Sequence, residues 1–173
     1  MKILIASLLL MPVFAVAERA QTTSVYTDAF SKTNCRLAEE DEQGGFVKYI
    51  CKGPAGFQYE AVEFDLRQTL NVIEPSGRKS ELHLSRVSPY FSTAGPKIEW
   101  RLDGKSPIAL IVRFTVDKNS ETPKDEISRL LVVKLRGGTV CITDIVKASK
   151  DQNAIARGLA DSSEHKPCMK FGK

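Results

Sequence analysis

Histidine is scarce in this chain. Two isolated residues, His83 and His165, are all that 173 positions contain. No C-x-x-C and no H-E-x-x-H occurs, so the clustered ligand spacing of zinc sites is missing, and so is a dithiol redox centre. There is no G-x-S-x-G elbow and no glycine-rich phosphate loop, which removes the motif-bearing hydrolases and nucleotide binders. Charge of one sign is lacking too: 25 Lys and Arg stand against 21 Asp and Glu, a formal net charge of +4. A nucleic-acid binder concentrates a basic stripe, and none is present. The expectation is no metal, no cofactor and no nucleic-acid partner.

One long apolar run is there, at the N-terminus. Lys2 precedes Ile3 to Phe14, and Ala15-Val16-Ala17 has the small-x-small form of a signal peptidase site. The run is shorter than the ~20 residues of a membrane span. We therefore expect residues 1–17 to be a cleaved signal peptide, residues 18–173 to form a single domain, and no membrane span to remain after cleavage. The expected location is periplasmic or secreted.

The four cysteines, Cys35, Cys51, Cys141 and Cys168, then read as two disulfides. The sequence-local pairing, Cys35–Cys51 and Cys141–Cys168, is favoured among three connectivities. Each bond would close a short loop and contribute roughly 3 kcal/mol. Glu39-Glu40-Asp41-Glu42, between the first pair, is contiguous. Calcium loops alternate ligands with spacers, so this run reads as a solvated face before the Gly44-Gly45 turn.

Period-two alternation dominates the rest. Val25 to Phe30 reads as a short strand or a loop, and Phe46 to Ile50 as a strand leading into Cys51. Val62, Phe64, Leu66, Leu70 and Val72 share even positions, in one bent strand or in two strands with a tight corner. Leu82 and Leu84 suggest another strand, and "SPYFSTAGP" (88–96) a loop. Ile98, Trp100 and Leu102 face Ile108, Leu110, Val112, Phe114 and Val116 across Asp103-Gly104. A three-residue loop, Asp103 to Lys105, would set Trp100 opposite Ile108 and Ile98 opposite Leu110. Residues 117–126 form a charged loop, and a second hairpin turns at Gly137-Gly138. Ser149 and Gln152 have capping-box spacing for one helix, with Ile155 and Leu159 on its buried face. The fold class is mainly β: an antiparallel barrel or sandwich of about 7–9 strands with one C-terminal helix and two disulfides.

Two stretches suggest binding. Tyr90-Phe91 lies in a proline-bounded loop that a rigid scaffold could present to a partner. The turn Ser76-Gly77-Arg78-Lys79-Ser80 begins like the Ser-Gly-containing loop of the periplasmic lysozyme inhibitors, small exported and largely antiparallel β domains, some with disulfides. That resemblance implies a loop inserted into an enzyme cleft. The family's motif continues to a tyrosine, where this chain has Ser80. The expected function is non-catalytic binding of an envelope protein or cell-wall component. The alternatives are an inhibitor of a lysozyme-like hydrolase and an envelope hydrolase using His83 or His165. The sequence leaves open whether Arg86, Arg101 and Arg113 converge with His83 and Tyr90.

Overall fold

The computed structural model describes residues 21–171 apart from 42, 44, 89 and 119–125. The signal-peptide segment, most of the 117–126 loop, Glu42 and Gly44 therefore lie outside the described residues. Among the described residues there are ten strands: β1 (Thr22–Asp28), β2 (Cys35–Asp41), β3 (Phe46–Lys52), β4 (Gln58–Phe64), β5 (Arg67–Ile73), β6 (Lys79–Glu81), β7 (Ser92–Asp103), β8 (Ser106–Asp117), β9 (Glu126–Lys134) and β10 (Cys141–Lys147). One helix, α1 (Gln152–Asp161), follows. The hydrogen-bonded order is β10-β9-β8-β7-β5-β4-β3-β2, with β1 on β7 and β6 on β5. The terminal strands β10 and β2 do not pair, so the sheet is curled and open, without barrel closure. Its two halves meet through one parallel residue pair, Arg67 with Ser92.

The halves face each other across a shared core. Tyr59, Ala61, Leu70 and Val72 of the β2–β6 half pack with Ile98, Trp100, Leu110, Val112, Phe114, Leu131 and Val133 of the other. Trp100 is fully buried and sits 6.0 Å from Phe57 and 6.2 Å from Tyr59, ring to ring. Its indole N–H donates to Thr27 Oγ1 at 2.9 Å, which satisfies the polar handle of a buried tryptophan. The backbone of Gly53 crosses this ring so closely that a Cβ there would stand 2.7 Å from it. On the far face of β8 and β9 lies a second apolar layer: Ile108, Ala109, Ile111, Leu130 and Val132 against Ala156 and Ala160 of α1.

Both expected disulfides are present, Cys35–Cys51 and Cys141–Cys168. The first joins directly paired residues of β2 and β3. The second holds the tail to β10, where Met169 N–H also donates to Ile142 C=O at 2.8 Å.

Several local expectations are corrected. Glu39, Glu40 and Asp41 belong to β2 itself, a strand whose exposed edge carries the acids. Leu82 and Leu84 are both buried, yet they follow β6 and do not extend it. His83 between them adopts φ 50°, and this left-handed residue lets both leucines turn inward. Residues 92–96 are strand: Ser92, Thr93 and Ala94 pair with Val116, Thr115 and Phe114. A bulge between Ala94 and Ile98 absorbs Gly95 and Pro96, the place where a strand tolerates them. The β7–β8 turn is two-residue, with Asp103 opposite Ser106, and a second bulge follows. Trp100 therefore faces Leu110 and Ile98 faces Val112, and Ile108 moves to the helix side.

The helix departs from its expected start and face. Asp151 occupies the N-cap without a side-chain cap bond. Gln152 turns inward instead, donating through Nε2 to Val146 C=O at 3.0 Å. The buried stripe is Gln152, Ala156 and Ala160, while Ile155 is exposed. Alanines at a spacing of four let the helix lie close on the sheet.

Candidate binding surface at the β4–β5 tip

The even positions of β4 and β5 do not share a face. Asp65 and Leu66 form the whole turn, Phe64 pairs with Arg67, and even residues therefore oppose odd ones. Tyr59 and Ala61 enter the core with Leu70 and Val72. Glu60, Val62 and Phe64 lie on the outer face beside Asn71, Thr69 and Arg67. Among the described residues no helix covers this face, unlike that of β8 and β9.

Both turn residues have positive φ, 49° at Asp65 and 59° at Leu66. Two central residues of this kind make a type I′ turn, whose preferred sequences are Asn-Gly and Asp-Gly. A leucine in the second place is strained by about 1–2 kcal/mol, and Leu66 is 65% exposed. Phe64, next to it, is 56% exposed and lies 6.5 Å from the ring of Phe46. The tip thus presents two large apolar side chains to solvent.

A groove runs along each side of the tip. On the outer sheet face, a cleft of about 410 Å³ is lined by Phe46, Val62 and Phe64 together with Lys48, Glu60, Asn71, Lys79 and His83. Glu60 is buried there, accepting from Asn71 Nδ2 at 2.9 Å and facing Lys79 Nζ at 3.4 Å. Lys48 pairs with Glu39, and this hydrogen bond holds its ammonium above the usual lysine range. On the other side, Leu66 and Phe91 line a cleft of about 330 Å³ with Thr93, Thr115 and Glu126. Gln68 and Ser92 border both clefts. Gln68 is pinned as the divider, donating to Glu63 Oε2 at 2.7 Å and accepting from Ala94 N–H at 2.9 Å. Both volumes fall within the range of small-ligand sites.

The residues suggested by sequence separate into two places. Tyr90 is exposed. Phe91 is half-buried, 5.2 Å beneath the Arg67 guanidinium, and forms part of the tip surface. Ser76, Gly77 and Arg78 turn the chain at the opposite end of β5, roughly 20 Å away by the rise of a seven-residue strand. Gly77 adopts φ 86°, and Arg78 is committed to Glu74 at 2.6 and 3.0 Å.

Of Arg86, Arg101 and Arg113, only Arg86 shares a cavity with His83, a small one of about 120 Å³. Arg101 is buried against Asp161 at 2.7 and 2.8 Å, and Arg113 points to Ser128 and Gln152 on the helix side. Arg86 is exposed in the turn after β6. His83 lies 3.8 Å from Glu81 on an exposed rim, and His165 follows α1 in a short turn. Among the described residues no group of three or more His, Cys, Asp or Glu side chains could hold a metal ion. No helix among them is long and apolar enough to cross a membrane.

Sequence reasoning missed Phe46, Phe64 and Leu66 because the turn carries no glycine. The signal that remained was Phe64-Asp65-Leu66-Arg67 itself, two large apolar residues flanking an aspartate. Comparison with protein-family models, with curated proteins and with solved structures finds no match to this chain.

Proposed function

We propose that this is an exported, non-catalytic binding protein that engages an envelope protein through the β4–β5 tip. One observation carries the reading: a strained, solvent-facing leucine stands beside an exposed phenylalanine, between two clefts of mixed apolar and polar lining. Backbone strain persists where something other than stability selects it, and exposed apolar clusters rimmed by polar groups are what partner surfaces offer. The two disulfides support residence in an oxidising compartment. The test is retention of envelope proteins on the immobilised chain, compared with Leu66→Gly and Phe64→Ser. A species held by the native protein and lost with both variants supports the tip. Retention unaffected by either variant would move the surface elsewhere.

A second reading rests on the other exposed turn. Ser76-Gly77-Arg78 projects at a hairpin end with its arginine braced by Glu74, a form suited to entering the cleft of a lysozyme-like hydrolase. A lysis assay with the protein in stoichiometric excess decides it, since unslowed lysis eliminates the inhibitor.

A further inference from the structure

The helix side of the molecule carries a separate feature. Lys97, Arg113 and Arg157 line a cavity of about 160 Å³ together with Tyr26, Glu99 and Asn153. Glu99 is the one carboxylate in that lining, and its oxygens are already engaged. Oε1 accepts from Ser24 Oγ at 2.5 Å and from Arg157 Nε at 2.6 Å, and Oε2 accepts from Arg157 Nη2 at 3.3 Å. Burial alone would raise its carboxyl pKa, but the bonds from Arg157 and Ser24 hold it below the usual range. Glu99 is thus ionised and spent on Arg157. Lys97 pairs with Asp28 at the exposed rim.

Arg113 has no such counter-charge. Among the described residues its guanidinium meets only neutral acceptors, Ser128 Oγ at 2.8 Å and Gln152 Oε1 at 3.3 Å, both through Nη1. The fold holds it in place all the same. Gln152 is itself fixed on Val146 C=O. Gly95 lets β7 pass against the arginine stem, where a Cβ would stand 2.8 Å from Arg113 Cβ. Three cations therefore surround one satisfied carboxylate, and discounting the Lys97–Asp28 pair still leaves Arg113 uncompensated.

We propose that this cleft binds a phosphate-type oxyanion, held by Arg113 with help from Lys97. A guanidinium offers parallel N–H donors that match two oxygens of such a group. Tyr26 is already engaged, accepting from Arg157 Nη2 at 2.9 Å and donating to the Glu99 carboxylate. Ile111 and Leu130 back the site, and an apolar wall strengthens each charge interaction. The volume suits one oxyanion group and not a nucleotide. Free phosphate and the phosphate of a lipid headgroup share this chemistry.

The experiment uses the full chain with sodium phosphate at pH about 7, against sodium chloride of equal ionic strength so that screening is common to both arms. Saturable amide shifts are expected at Lys97, Arg113 and Asn153. At about tenfold excess over Kd the melting temperature should rise by about 3–6 °C. Arg113→Gln should weaken binding roughly tenfold or more. Lys97→Gln, at the exposed rim, should weaken it severalfold, and it decides the matter if the arginine variant does not fold. No shift beyond the chloride control, shifts centred on Lys48 and Lys79, or unchanged affinity in the folded variants overturns the site. Sedimentation with phosphatidylglycerol vesicles that free phosphate competes away assigns the group to a headgroup. Phosphate binding without sedimentation assigns it to the free anion, and either result supports the cleft.

Discussion

Leu66 offers a substitution in which stability and binding should part company. In the folded state it holds φ 59° at the second place of a two-residue turn. Strain of about 1–2 kcal/mol is stored there for any residue with a Cβ. Leu66→Gly removes that strain and creates Asp-Gly, the favoured type I′ pair. Against this, the leucine is 65% exposed, so about one third of its side chain is sheltered. Full burial of a leucine is worth about 1.5–3 kcal/mol, which puts the lost contact at about 0.5–1 kcal/mol. The added freedom of glycine in the unfolded chain costs a further ~0.5–1 kcal/mol. The glycine variant should therefore melt within about 2 °C of the native protein. Leu66→Ala loses the same contact and keeps the strain, without glycine's relief. It should melt below the native protein and below the glycine variant, by about 1–4 °C in the latter comparison. Both variants lose the displayed side chain, so both should lose the retained envelope partner. Thermal melts followed by circular dichroism, alongside the retention assay, read the two effects separately. An alanine variant that melts at or above the glycine variant would refute the strain argument. Retention surviving in either would refute the role of the tip.

The remaining expectations concern the scaffold. Gly53→Ala drives a Cβ into the Trp100 ring and should cost about 1–3 kcal/mol, seen as a lower denaturation midpoint with an altered tryptophan emission; an unchanged midpoint would mean the β3–β4 connection yields freely. Asp161→Asn strips the counter-charge from Arg101, whose side chain is only 8% exposed, and should cost about 2–3 kcal/mol, less than for a fully buried pair because the aspartate is partly solvated. Burial would raise the Asp161 carboxyl pKa, but Arg101 and Thr22 hold it below the usual range. Its contribution is thus complete above the ordinary carboxylate pKa and is lost as pH falls through the lowered folded value; acid melts of the asparagine variant should show a shallower decline than the native protein. Replacing either cysteine pair by serines should cost roughly 3 kcal/mol, checked by chemical denaturation, and a reductant that opens both bonds of the native protein should cost about the sum of the two losses.

Both disulfide pairings, the β-rich class and the C-terminal helix were legible because each rests on local chemistry. An even cysteine count, alternation of apolar residues and turn residues at hairpin spacing act over a few positions. The ambiguous even-numbered run from Val62 to Val72 shows where that legibility ends. Which face Phe64 occupies depends on a two-residue turn made by Asp65 and Leu66, and a turn without glycine gives no local sign of itself. The same holds at Ile108 and Pro96, where bulges shift the register that alternation alone would dictate. Gln152 and Ile155 make the point for the helix: capping and periodicity are helix-level signals, but the sheet decides which stripe it will accept, and it takes alanines.

Residue order by itself determined the β-rich class with its C-terminal helix, the crosslinks and the absence of any contiguous catalytic motif, since those depend on neighbours along the chain. Only the folded molecule decided what lies beside what. Curling of the sheet left the outer face of β4 without a helix over it among the described residues, split the Tyr90–Phe91 and Ser76–Arg78 stretches between opposite ends of β5, and set Arg113 into a cleft whose one carboxylate, Glu99, is engaged by Arg157. The physical reason is that pairing register and sheet curvature are settled by long-range burial, and one residue's slip reverses every side chain after it.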